Sequence, residues 1–330
     1  MKNCILAAVL ACLAVPAYGQ QTRNQELGAA LLSEAPDALA EYENRFTFVQ
    51  GLVRFSRTNR GNWQEGTTVL ERNNDCTLKE IVEVKCEQGS PTEKIPLMLT
   101  VTNARYGFLL ERPQSGGPWA LKHVAKPGIG EDFGVYFDTA HNQVNPSYLM
   151  RNRLSEVIRD PGFKLRSIVE DSEGNCRCEF QIDAATTRLA ATTRIVSGTV
   201  VLDPRHMWCL VSGDLEMYLS EGRLGRATCS FEYAAGSTDA RFSVPRKTQR
   251  DIYINNEIVD SMTLTLELAI PEPLPDDSRF TLTAFGFPEP DWAEPPQTTS
   301  WTISLVIAAA GVALVVIGAF IVKNYQRARS

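Results

Sequence analysis

Four stretches between Cys176 and Leu268 alternate apolar and polar residues, and this period of two constrains the fold most. Met262, Leu264, Leu266 and Leu268 alternate with Thr263, Thr265 and Glu267. Cys178, Phe180 and Ile182 alternate with Glu179, Gln181 and Asp183, and Ala227, Cys229, Phe231 and Tyr233 with Thr228, Ser230 and Glu232. Met207, Cys209, Val211, Leu215, Met217 and Leu219 fall on one parity, with Ser212, Asp214 and Glu216 on the other. Successive side chains of a strand point to opposite faces, so each stretch has one dry face and one wet face. Short turns at Ser220-Glu221-Gly222 and Asn255-Asn256 join them. An antiparallel meander follows.

The dry face needs cover, and helical periodicity occurs only twice. Glu26–Glu43 places Leu27, Leu31, Leu32, Ala35 and Leu39 at three- and four-residue spacings, with a break or kink at Pro36. A second helix is expected from Asn145-Pro146 to Asp160-Pro161-Gly162, with Met150, Leu154, Val157 and Ile158 as its stripe. Two helices are a small supply for so many strands. The expected fold is therefore mainly β (α+β): a strongly curved antiparallel sheet, an unclosed barrel with covering helices. Earlier strands are predicted at Arg45–Ser56, Thr67–Arg72, Glu80–Cys86, Leu97–Asn103, Tyr106–Glu111 and Trp119–Val124, and a last one at Arg279–Phe287.

The ends set the compartment. Residues 1–19 carry one Lys, an apolar run from Cys4 to Val15, and small residues Ala17 and Gly19, the pattern of a secretory signal peptide. Trp301–Val322 holds no charge and is long enough, at ~1.5 Å per residue, to cross a bilayer's ~30 Å hydrocarbon core as one helix. The tail 323–330 carries Lys323, Arg327 and Arg329 and no acid, which places it in the cytoplasm. Residues 20–287 then form one extracytoplasmic β-rich domain, and the proline-rich 288–300 is a stalk. The expected location is a bacterial cell membrane, single-pass, with the bulk of the chain on the periplasmic side.

With 39 acidic against 33 basic residues, the chain argues against a nucleic-acid partner. Cys4 and Cys12 leave with the signal peptide. The six others permit fifteen disulfide connectivities, with Cys76 and Cys86 the best candidate pair because they flank one polar stretch. Cys209 and Cys229 read as buried thiols, since a turn at Glu221-Gly222 leaves them too far out of register to bridge. No GxSxG, HExxH, Walker or dinucleotide-binding pattern occurs, and neither a metal nor a cofactor is indicated. Only His123, His141 and His206 could serve a hydrolase, and no sequence pattern gathers them around a serine or carboxylate.

Phe46-x-Phe48-x-Gln50, the segment GTVVLDP at Gly198–Pro204, Trp208, Phe231-Glu232-Tyr233 and Val244-Pro245 resemble, in this order, the LolA/LolB-like lipoprotein-carrier superfamily. The ending FTLTAFGFPEP at Phe280–Pro290, followed by an apolar helix, resembles uncharacterised bacterial secreted proteins with a C-terminal membrane anchor. The superfamily resemblance implies an open barrel whose concave face holds acyl chains. The expected function is a membrane-anchored, non-catalytic domain that binds a hydrophobic ligand, a lipid or a lipoprotein acyl chain. Trp208, Met217, Phe231, Tyr233, Leu264 and Leu266 are the candidate lining residues. The alternative is an envelope interaction or scaffold protein without a ligand pocket.

Overall fold

The structure, a computed structural model, describes residues 21–74, 76–86, 96–114, 116–126, 144–150, 152–189, 194–219, 222–233 and 241–293. The expected signal peptide, the spanning segment 301–322, the tail and most of the stalk lie outside these residues. Among the described residues no helix is long and apolar enough to cross a membrane. The chain divides into two compact units, Met1–Phe287 and Pro288–Ser330.

The first unit is built on one antiparallel sheet. Its N-terminal half holds β1 (Gln50–Asn59), β2 (Asn62–Asn73), β3 (Cys76–Cys86), β4 (Leu97–Thr102), β5 (Gly107–Arg112) and β6 (Ala120–Ala125). A small hairpin of β7 (Tyr148–Leu149) and β8 (Asn152–Arg153) follows. The meander then runs through β9 (Phe163–Glu170), β10 (Cys176–Ile182), β11 (Ile195–Asp203), β12 (Cys209–Tyr218), β13 (Leu224–Tyr233), β14 (Pro245–Ile254) and β15 (Glu257–Ala269). The spatial order is β6-β5-β4-β3-β2-β1-β15-β14-β13-β12-β11-β10-β9. Sequence neighbours are space neighbours throughout, except where β1 meets β15. The sheet is not closed, because its ends, β6 and β9, do not pair with each other.

Helix α1 (residues 21–33) and α2 (Ala35–Phe46) cross one face, separated by a turn at Glu34 just before Pro36. Helix α3 (Leu154–Arg159) packs on α2. Under α1, α3 and the start of α2 lies a filled cluster: Leu31, Leu39, Leu154, Val157, Cys176, Ile195, Leu202 and Leu215 are among its buried members. Under the end of α2 lies a second cluster with Tyr42, Phe46, Val53, Leu70, Met262, Leu264 and Leu266.

Three sequence expectations fail. Phe46 ends α2 instead of starting β1, so the Phe46-x-Phe48-x-Gln50 motif is a helix-to-strand junction. Tyr42 and Phe46, one turn apart, stack at 5.9 Å between ring centroids and are both fully buried. Arg72 Nη1 donates to the Phe46 carbonyl at 3.1 Å, one of the carbonyls a helix end leaves open. Second, Asn145 does not cap a helix. Its Oδ1 accepts from the Ser147 amide (3.0 Å) and hydroxyl (2.8 Å), Met150 takes the left-handed φ of 58°, and the β7–β8 hairpin intervenes before α3. The stripe Leu154, Val157 and Ile158 is buried as its periodicity requires.

Third, Arg279–Phe287 is not a strand. It forms two 3-10 turns, Asp277–Phe280 and Leu282–Phe285, and packs on the other face of the sheet. There Leu78, Leu99, Val101, Phe108 and Leu110 are buried, with Phe280 and Leu282 at 0% and 1% exposure. The Leu282 amide donates to the Tyr106 hydroxyl at 3.0 Å, Asn103 Nδ2 donates to the Phe280 carbonyl at 2.7 Å, and Phe285 meets Phe108 edge-on at 5.8 Å.

Candidate functional site

The helix-side face is not filled evenly. A groove of about 160 Å³ runs over β1, β2, β3 and β15, lined by Val53, Phe55, Arg57, Gln64, Thr68, Leu70, Lys79, Ile81, Val144, Met262 and Leu264. Strand pairing explains the set. Val53, Phe55 and Arg57 stand opposite Thr68, Gly66 and Gln64 on β2, and Phe55 and Arg57 stand opposite Leu264 and Met262 on β15. Leu70 and Thr68 stand opposite Lys79 and Ile81 on β3. The groove therefore follows β2 from Gln64 to Leu70, six steps or about 20 Å at ~3.3 Å per residue. Gly66 makes room for it. A Cβ there would lie 2.7 Å from the Phe55 ring and 2.2 Å from the Glu83 carbonyl oxygen.

Charge is confined to the two ends, with the Thr68 hydroxyl the one polar group between them. At one end Gln64 is exposed, and Arg57 Nε donates to Asp260 Oδ1 at 2.7 Å. Asp260 Oδ2 also accepts from Arg250 at 3.0 Å. At the other end Lys79 shows no hydrogen bond or ion pair to any described residue. Burial pushes its ammonium down to about 8.

Of the six residues proposed from sequence, Leu264 lines this groove. Phe231 lines a neighbouring crevice of about 20 Å³ with Leu264 and Met262, room for about one water. Met217 and Trp208 are buried in the filled cluster, and Leu266 in the second one. Trp208 reaches the covered face although its parity opposes Cys209, because Met207 and Trp208 are both left-handed (φ 58° and 60°) and turn the chain before β12. Tyr233 packs at the junction of the clusters, and its hydroxyl donates to the Leu210 carbonyl at 2.7 Å. The sequence reading missed Val53, Phe55, Leu70, Lys79 and Ile81.

The expected Cys76–Cys86 pair is corrected. The two open and close the same strand, so ten steps hold their Cα atoms roughly 30 Å apart, far outside bonding range. All six described cysteines are free thiols. Cys229 stands opposite Gly213 on β12, four residues from Cys209, too distant for a bond. Burial raises the Cys209 thiol well above its usual range and Cys178 to about 12, so both are inert.

The two described histidines lie on different elements, His206 beside β12 and His123 on β6. His206 Nδ1 lies 2.7 Å from Asp203 Oδ2 in the turn between β11 and β12, where Asp203 also accepts from the Arg205 amide at 3.0 Å and from Arg205 Nε at 2.9 Å. Burial alone would raise the Asp203 carboxyl, but these donors hold it below the usual carboxylate range. His123 is exposed on edge strand β6, and His141 lies outside the described residues. Among the described residues no group of three His, Cys, Asp or Glu is placed to hold a metal.

An open antiparallel sheet, thirteen-stranded among the described residues and crossed by helices on the face that carries the groove, defines the class of this protein. Among solved structures it is similar to a LolA superfamily protein from Nitrosomonas europaea, at 12% identity and a TM-score of 0.39, over 76% of this chain and 99% of that one. It is also similar to the Pseudomonas aeruginosa MucA/MucB complex structure, at 9% identity and a TM-score of 0.25, over 72% of this chain and 95% of that one. No protein-family model matches the sequence, and no curated protein matches it.

Proposed function

We propose that this chain is a membrane-anchored extracytoplasmic protein that binds a hydrophobic ligand, a lipid or lipoprotein acyl chain, without catalysing a reaction on it. One observation carries the reading: an apolar groove along β2, on the face that helix and strand side chains fill under α1 and α3. Its volume corrects the scale of the ligand. A dry cavity of roughly 150 Å³ takes a benzene-sized molecule, whereas whole drug-sized ligands occupy ~300–1,000 Å³. The groove as it stands holds about six carbons, the end of a chain. A longer chain requires the face to widen. A broader hollow of about 970 Å³ on the other face is a weaker candidate, since it is open to solvent and edged by the Arg279–Glu71 ion pair at 2.6 Å.

A neutral alkyl diazirine probe, photolysed with the full-length chain and mapped by peptide mass spectrometry, tests this. Labels on β1, β2 and β15 around Phe55, Leu70 and Leu264 are expected. Labelling confined to 301–322, or spread evenly over the surface, refutes a groove ligand. Protease added to intact spheroplasts tests the topology separately. Cleavage within 20–300 is expected, and protection of that region refutes the extracytoplasmic placement.

A further inference from the structure

The two basic groups of the groove differ in what faces them. Arg57 is answered by Asp260, 2.7 Å away, and Arg250 reaches the same carboxylate. Lys79 is answered by nothing charged among the described residues, and burial is the single influence on its ammonium. Strand parity places Lys79 on the groove face, opposite Leu70, with Thr77 and Ile81 on either side along β3. A lysine in this position is unfavourable for the empty protein, because a half-buried charge without a partner has lost part of its hydration and nothing replaces it. The neighbouring acids Glu80 and Glu83 point to the other face of β3: Glu80 pairs with Arg112, and Glu83 with Lys85. An uncompensated cation at the end of an apolar groove is complementary to one kind of molecule, an apolar chain ending in an anion.

We infer that the groove selects amphiphiles with a free carboxylate head over neutral or esterified chains, and that Lys79 receives the carboxylate. This rests on the groove being a ligand site. At pH 7 the ammonium is still charged, since it titrates near 8. The apolar walls at Leu70, Ile81, Val53 and Phe55 then take the chain, with the head at the Lys79 end and the tail directed along β2. An ester or amide-linked acyl chain has no anion to offer and leaves Lys79 as uncompensated as in the empty protein.

Competition against the neutral diazirine probe on the full-length chain separates the two levels of the argument. The competitors are hexanoate, hexanol and methyl hexanoate, matched to the volume of the groove. Hexanoate is expected to displace the probe at about tenfold lower concentration than either neutral molecule, the size of a charge-assisted hydrogen bond. In Lys79→Met, and independently in Lys79→Gln, that ratio is expected to fall to about one. Equal competition by all three in the wild type, or a ratio that survives both substitutions, overturns the head-group inference and leaves the groove as a ligand site. Absence of probe labelling at β1, β2 and β15 overturns both.

Discussion

The half of the sheet under α1 and α3 and the half under the end of α2 bury their apolar residues differently. Over β9–β13, helix and strand side chains meet and fill the space, and the opposite face stays polar: Glu179, Gln181, Asp214 and Glu216 are exposed there. Over β1–β3 and β15 the covered face keeps a groove. In β3–β5 the other face is also dry, because the segment 277–285 packs on it. A sheet covered on one side is held by one contact layer. A sheet held from behind can leave part of its front unfilled and still remain folded. The strap at 277–285 thus supports the strand, β3, that carries Lys79 and Ile81 into the groove.

The sharpest way to break this comparison is thiol labelling under native conditions. Cys176 and Cys178 are fully buried in the packed region, whereas Cys86 is half-buried at the far end of β3. Buried thiols react only when the structure opens, so Cys86 is expected to be alkylated on the order of a thousandfold faster. Similar rates would mean that the packed half opens as readily as the grooved one. The strap comes next. Phe280→Ala removes a fully buried ring and is expected to cost about 4 kcal/mol in denaturant unfolding. A cost below about 1 kcal/mol would show that the second dry face contributes little.

What was legible in the sequence follows the same division. The meander could be read because its strands are dry on one face alone. Cys176–Ile182 alternates buried and exposed without exception, as its residues do in polarity. The strap could not be read that way. Phe280, Leu282 and Phe285 imitate a strand's spacing, while Asp276 caps a 3-10 turn through the Ser278 amide at 2.7 Å and Gly286 ends the next one with a φ of 82°. Of the candidate site, one lining residue was legible. Leu264 was found because its strand alternates cleanly. Lys79 carries no such signal, because Thr77, Lys79 and Ile81 on one face and Leu78 and Glu80 on the other each mix polar with apolar residues. The Phe46 junction depends on Arg72, which is twenty-six residues away, and no local pattern carries that contact.

A matched pair of truncations measures the difference in packing directly. Leu154 is 1% exposed in the filled cluster, and Leu154→Ala is expected to cost about 3–4 kcal/mol. Leu264 is also buried but borders the groove, so fewer contacts are lost, and Leu264→Ala is expected to cost about 2 kcal/mol. Equal costs would mean that the groove is closed in solution. Urea unfolding with a common m-value makes the two comparable.

The smallest expected effect has the opposite sign. Replacing Lys79 by Met removes a desolvated ammonium from an apolar wall. A fall from 10.5 to about 8 corresponds to at most roughly 3 kcal/mol, and because Lys79 is only half-buried a gain of about 1–2 kcal/mol at pH 7 is expected. The pH dependence follows from the direction of the shift. The folded protein holds this proton less tightly than the unfolded chain does. The penalty is therefore complete below about pH 8 and fades between pH 8 and 10.5, where the folded protein has shed a proton that the unfolded chain still holds. Wild type should gain on Lys79→Met across that window and nowhere below it. A Lys79→Met protein no more stable than wild type at pH 7 would place the ammonium in water, outside the groove, and would remove the asymmetry between the two ends on which carboxylate selection depends.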